Sequence, residues 1–463
     1  MEKFFKLKQN GTTVKTELLA GLTTFLTMSY ILFVNPSILT LTGMDQGAVF
    51  MATILSAAIG TFVMGFVANV PFAQAPGMGL NALFTFTVVF GLGFTWQQAL
   101  AMVFICGIIN IVITVTKIRK MIIKAIPASL QYAISAGIGL FIAYIGVKQA
   151  HFLQFTAEAK DAIEMGEASN LYRQIVPALA SFKEPAAVLA LIGLVITIVL
   201  MIMKINSAIL VGIVATTIIG IFMGVTQLPD WSSISFAPPS LAPTFLQLDF
   251  AGLFADPNKI VLVLTTIFAF SLSDTFDTIG TFLGTGRKSG IFDAADEASF
   301  EAGNTFSSKL DRALFADATA TSIGALLGTS NTTTYVESAA GISQGGKTGL
   351  TAVTVGILFL ISVVLAPFIG IVPEAATAPA LIIVGVLMAE SMGKIAWADL
   401  EESIPVFFTI SMMAFAYSIT NGIAAGFIFY CIIKVVKGKG KQVHPIMYIV
   451  SALFLVNYVI GAL

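Results

Sequence analysis

Apolar runs of membrane-spanning length alternate with short polar breaks along almost the whole chain. A helical span needs about 20 predominantly apolar residues. Runs of that kind lie at roughly 17 to 40, 47 to 70, 95 to 116, 127 to 147, 185 to 203, 206 to 226, 260 to 282, 310 to 328, 348 to 370 and 375 to 392, with shorter ones at 403 to 418 and 420 to 436. Two further segments, Pro71 to Phe90 and the stretch TTTYVESAAGI from Thr332 to Ile342, are too short and too rich in Gly, Pro or hydroxyl residues to cross as ordinary helices. Counting both gives an all-α polytopic membrane protein of fourteen elements. The tail after the basic KGKGK, residues 444 to 462, is apolar enough for a fifteenth crossing or for lying against the bundle or the membrane interface.

The pattern also divides in two. IGTFVMGFVANVPFAQAPGMG in the first half and IGALLGTSNTTTYVESAAG in the second each place a long helix before an extended stretch and a short helix. Each broken segment is third in a set of seven, so the second set enters the membrane from the opposite side: two inverted repeats, with paired interrupted segments pointing to a midplane site. Non-helical backbone at membrane depth must be buried in protein or line a cavity. Residues 70 to 75 and 331 to 336 are therefore expected to pair as antiparallel strands, with short helices starting near Pro76 and Glu337.

Composition agrees with a membrane chain. Of 463 residues, 57% are hydrophobic and 11% charged, against about a quarter charged in soluble domains. With the N-terminus in the cytoplasm, 19 of the 24 Lys and Arg fall on the cytoplasmic side, leaving Lys148, Lys160, Arg173, Lys183 and Lys259 outside, as the positive-inside rule requires. Trp96, Trp231 and Trp397 stand at span ends or in loops. A net charge of −1 gives no reason to expect nucleic acid, and Cys106 and Cys431, both in apolar runs, supply neither a disulfide framework nor a metal set. His151 and His444 lie in loops, so no metal site is expected.

Chemistry therefore concentrates in a few membrane carboxylates. A charge at the bilayer centre costs at least about 2.5 kcal/mol, which makes such groups functional candidates by default. They are Asp274 and Asp277 in AFSLSDTFDTIGTF, Glu337 in TTTYVESAAGI, and Asp317, nearer the start of its run. Asp274 and Asp277, three apart, share a helical face. A structural role is favoured for Asp317 and is as good a reading as a functional one for Asp274. No intramembrane Lys or Arg is at hand, so these acids must be protonated, bind a cation or meet a ligand's donors. Asn81 lies beside the first broken segment, and Phe72 and Tyr335 occupy matching positions in the two extended stretches, where two aromatics could sandwich a flat ring.

At these residues the sequence resembles a known family. APGMGLNA, SDTFDTIGT, TSNTTTYVESAAGI and GGKTGLTA are similar to the signature stretches of the AzgA-like purine permeases, in the nucleobase-ascorbate transporter family that includes the bacterial uracil permease, and the likeness runs over nearly the whole chain. The resemblance implies a core domain (residues 17–116 and 260–370) sliding against a gate domain (117–226 and 371–436), with an N-terminal tail 1–16, an extracellular loop 227–259 and a C-terminal segment 437–463. It implies substrate binding by Glu337, Asp277 and Asn81, with Phe72, Tyr335 and Val336 beside them, and proton coupling through Asp277, Asp274 or Glu337. Uracil permeases carry Glu where Asp277 stands and His where Thr281 stands, so the shorter acid here leaves room for a bicyclic purine. The expected activity is proton-coupled import of hypoxanthine, guanine or adenine across the cell membrane, with no cofactor, the bilayer as surroundings and a homodimer as a possible assembly. Two other classes share parts of this pattern: an anion exchanger or channel of the same fold, and an intramembrane aspartyl protease. The second needs two acids on different helices, whereas Asp274 and Asp277 share one.

Overall fold

The structure is a computed structural model that describes residues 2–116, 125–157, 175–228, 237–286, 289–292, 296 and 308–462. Trp231, Lys117, Arg119, Lys120, Lys124, Lys160, Arg173, Arg287 and Lys288, used above for orientation, lie outside the described residues.

The first half runs α1 (Val14–Met28), α2 (Ile31–Leu39), α3 (Gln46–Val63), β1 (Gln74–Pro76), α4 (Met78–Ala82), α5 (Trp96–Val115), α6 (Ala128–Gln149), β2 (Leu153–Ala157), β3 (Ile175–Leu179), α7 (Pro185–Ile202) and α8 (Ala208–Phe222). The second runs α9 (Ile260–Thr281), α10 (Lys309–Leu327), β4 (Thr332–Thr334), α11 (Ser338–Ser343), α12 (Gly349–Ile361), α13 (Glu374–Met388), α14 (Leu400–Phe415), α15 (Ile419–Val436) and α16 (Pro445–Ala462). Among the described residues, nine helices are long and apolar enough to cross a membrane, and Met78–Gly91, Ala208–Phe222 and Pro445–Val459 are shorter apolar helices.

Local chemistry sets several boundaries. Thr95 and Gln98 form a reciprocal capping box that starts α5. Pro36 sits inside α2, where its missing N–H interrupts the helical ladder. Gly328 ends α10 with φ of 98°, a conformation that favours glycine, and a Cβ there would lie 2.3 Å from Thr244 Cβ. Glu17, fully buried, accepts from the backbone N–H of Lys347, Thr348 and Thr351 and from the Thr351 hydroxyl. It thus satisfies the orphan donors at the start of α12, a structural use of a carboxylate.

Packing sorts the helices. α1, α3, α5, α9, α10 and α12 pack on one another around the strands, whereas α6, α7, α8, α13, α14 and α15 form a second set. The C-terminal tail is a helix lying antiparallel to α15: Ser451 meets Cys431 at 3.4 Å, and the Tyr458 hydroxyl donates to Asn421 Oδ1 at 3.2 Å.

The expected strand pair is present, with corrected limits. β1 and β4 are antiparallel, with Gln74, Ala75 and Pro76 opposite Thr334, Thr333 and Thr332. Pro76 is therefore the last strand residue rather than the first helical one. The Gly77 N–H donates to the Asn331 carbonyl at 2.9 Å, extending the pairing, and the short helix begins at Met78. The chain is not purely helical elsewhere: β2 and β3 form an antiparallel pair between α6 and α7 that the sequence pattern does not reveal.

Candidate functional site

β1 and β4 cross in the interior, and every residue of both is buried. Their side chains tie them to the surrounding helices. The Thr61 hydroxyl donates to the Gln74 carbonyl and accepts from its N–H. The Ala73 N–H donates to Ser338 Oγ at 3.0 Å, and the Tyr335 N–H to the Ala73 carbonyl at 3.0 Å. Thr278 on α9 and Thr333 on β4 share a hydroxyl hydrogen bond of 2.8 Å, which fixes the helix bearing Asp274 and Asp277 against the strands.

Glu337 occupies the residue before α11, immediately past β4. It is partly exposed and Val336 is 52% exposed, whereas Tyr335 and Ser338 are buried. One side chain holds the carboxylate: the Tyr30 hydroxyl donates to Oε1 at 2.5 Å. Asp277 lies within electrostatic reach of Glu337 and Asp317. Among the described residues, no Lys or Arg forms an ion pair with Glu337, Asp277 or Asp274; the pairs present are His151 with Glu184 and the lysines around Glu401 and Glu402. The site is thus acidic, and no basic side chain among the described residues pairs with these three acids.

Asp274 and Asp317 sit deeper. Asp274 Oδ2 accepts from Asn110 at 2.9 Å and Thr321 at 3.3 Å, and Asn110 also takes the Ser271 hydroxyl at 2.5 Å. Asp317 Oδ1 accepts from Thr334 at 2.7 Å and Gln74 at 3.3 Å. Asp317 stands in the middle of α10 beside the strands, not near the helix start as its run suggests, and its bonds brace β1 against β4. The amide oxygen of buried Asn331 and Oδ1 of Asp274 have no hydrogen-bond partner among the described residues.

The remaining candidates are placed less simply. Asn81 is fully buried and donates to Asn35 Oδ1 at 3.3 Å, while its own Oδ1 has no partner among the described residues. Asn35 donates onward to Thr53 and Thr329, so α2, α3 and the turn before β4 meet at one amide. Phe72 has no exposed surface; its ring stacks parallel to Phe292 with centroids 5.9 Å apart and meets Phe282 edge-on. The Tyr335 hydroxyl donates to the Pro76 carbonyl. In this conformation both rings are buried. Tyr30 and Asn35 are the residues that sequence reasoning missed. Cys106, by contrast, is a buried packing residue that also receives the Asn331 and Asn110 amides.

Comparison with known proteins accords with this arrangement. Residues 15–425 match the model described as "Permease family" (Xan_ur_permease). The chain is 40% identical to the adenine permease AdeP of Escherichia coli over 99% of this chain and 96% of that protein. It is 41% identical to the guanine/hypoxanthine permease PbuG of Bacillus subtilis over 99% of each. Among solved structures it resembles the transmembrane domain of the cyanobacterial bicarbonate transporter BicA (TM-score 0.61, 16% identity, 89% of this chain and 97% of that one). The murine Solute Carrier 26 family member A9 anion transporter in its inward-facing state is similar in fold too (TM-score 0.60, 12% identity, 91% of this chain and 68% of that one). Full-length identity at this level, together with the matched family model, excludes the protease reading: the chain is a permease, not an enzyme, and belongs to the AzgA-like branch of the nucleobase-ascorbate transporter family.

Proposed function

We propose that this permease imports purine nucleobases (hypoxanthine, guanine or adenine) by proton symport, in an elevator-like alternation between outward- and inward-open states. The observation that carries the proposal is the Glu337 carboxylate, set beside the strand crossing and bonded, among the described residues, by no side chain except Tyr30. A flat ligand rich in N–H groups supplies the donors that such an acid lacks, and each charge-assisted bond is worth about 1.5 to 3 kcal/mol. The adenine and guanine/hypoxanthine permeases among its relatives support the same ligand class.

In this proposal Asp277 is the second polar contact and the proton carrier, with Asp274 as a deeper proton-coupling group. Asn81 holds the strand-to-helix turn, while Phe72, Tyr335 and Val336 frame the ligand. The two packing sets of helices correspond to the proposed core and gate, one sliding past the other. The core is residues 17–116 and 260–370; the gate is 117–226 and 371–436. Fourteen elements in two inverted sevens, a cytoplasmic N-terminus and residence in the cell membrane, singly or as a homodimer, complete the proposal. Anion transport, as in the bicarbonate transporter BicA and the murine anion transporter that share this fold, suits the site poorly, because Glu337 and Asp277 would repel an anion.

A thermal-shift screen of the purified chain against nucleobases, chloride and sulfate at two pH values tests this, since a ligand that binds only the folded state raises the melting temperature. Uptake of the best base into proteoliposomes, with and without an imposed pH gradient, tests the coupling. A melting temperature raised by anions but by no purine would refute the proposed function.

A further inference from the structure

Tyr30 is 1% exposed and belongs to the main apolar core, yet its hydroxyl meets Glu337, a partly exposed acid of the site. It stands at the junction of α1 and α2, 307 residues before Glu337. Its height is fixed by a close approach of backbones. A Cβ at Gly341 on α11 would lie 2.1 Å from Thr24 Oγ1 and 2.4 Å from the Ala20 carbonyl, so α1 rests directly on α11. The phenol is thus delivered by a rigid helix contact. A phenol has one donor hydrogen, and here it is given to Glu337 Oε1. Glu337 has three side-chain torsions and no other side-chain bond among the described residues, so this hydrogen bond alone sets which oxygen faces outward.

We propose that Tyr30 is a positioning residue for the nucleobase site: by holding Oε1 of Glu337 it presents Oε2, and the lone pairs of its own hydroxyl, as a fixed pair of acceptors for adjacent ligand N–H groups. The inference rests on the transport proposal for the identity of the ligand, but the contact with Glu337 can be read without one. Loss of the phenol leaves the carboxylate free to rotate, so ligand binding weakens while the conformational step that carries the ligand across is untouched.

The test uses the full chain in proteoliposomes with labelled hypoxanthine and adenine. Tyr30→Phe is expected to raise KM about tenfold while Vmax stays within about twofold. Tyr30→His, which keeps a ring donor, is expected to recover part of that loss. In ligand-free protein, the infrared carboxylate band identified as Glu337 by its absence in Glu337→Gln should shift in Tyr30→Phe. An unchanged KM with an unmoved band overturns the inference. So does a joint fall of Vmax and melting temperature in both Tyr30 variants, which marks a packing role alone. If wild-type protein takes up neither base, the transport proposal fails, and the infrared band alone decides whether Tyr30 positions Glu337.

Discussion

The Tyr335 hydroxyl donates to the Pro76 carbonyl at 2.6 Å, joining the residue after β4 to the last residue of β1. Both groups are buried. The bond is a side-chain addition to a three-rung ladder, and it holds the two broken elements together at the point where α4 departs. Tyr335→Phe keeps the ring and removes the donor. It should lower stability by about 1 kcal/mol, read as a lower melting temperature without ligand, and an unchanged melting temperature would show that the ladder alone suffices.

Glu337→Gln removes the charge and keeps the shape. An amide offers one acceptor and two donors in place of an acceptor-only group, so it confronts ligand N–H groups with hydrogens of its own. Affinity for the preferred purine should fall at least tenfold, by roughly the worth of one charge-assisted bond, in isothermal titration calorimetry. Wild-type affinity would exclude Glu337 as a ligand contact.

Far from the strands, Glu401 at the start of α14 is ringed by Lys434, Lys439 and Lys437 at 2.8, 2.7 and 2.9 Å. Their ammonium groups hold its carboxyl well below the usual carboxylate range. A folded-state pKa below the unfolded one gives stability that is complete above the unfolded value of about 4.3 and drains away as pH falls from there through the folded value. Glu401→Gln should therefore melt lower than wild type at neutral pH, with the gap closing as pH is lowered below about 4. A gap of constant size from pH 7 to pH 3 would contradict the ion-cluster account.

The antiparallel contact of α16 with α15 predicts that the tail crosses the membrane. Lys441 precedes α16 and Val459 lies near its end, 59% exposed. With buried Cys106 and Cys431 replaced, Lys441→Cys and Val459→Cys should react with an impermeant maleimide from opposite sides of sealed vesicles. Labelling from one side would place the helix along the surface instead.

Much of this arrangement was legible in the sequence because its signals are negative ones. Gly, Pro and hydroxyl residues inside otherwise continuous apolar runs cannot be ordinary spans, so the two broken elements and their pairing announce themselves. A lone acid such as Glu337 with no cation near it in sequence is equally conspicuous. Exact limits were less visible, since the ladder at Gln74–Pro76 depends on the Gly77 N–H finding the Asn331 carbonyl across the molecule. Tyr30 and Asn35 were illegible for a different reason. Each is one moderately polar residue in an apolar helix, and only the three-dimensional approach of α1 and α2 to the second half gives it a partner. The β2–β3 pair was missed because it lies in the polar connection between α6 and α7, where no apolar periodicity marks it.

Gln74 and its strand partner Thr334 are 260 residues apart. A ribosome adding about 5 to 20 residues per second needs on the order of 10 to 50 s to traverse that distance. Throughout that interval the nascent first half carries a membrane-depth segment whose amides await a mate, and such amides cost several kcal/mol in hydrocarbon. The young chain must therefore keep this stretch wet or in the shelter of the insertion machinery, and quality control has a natural window in which to intercept chains whose second half arrives late.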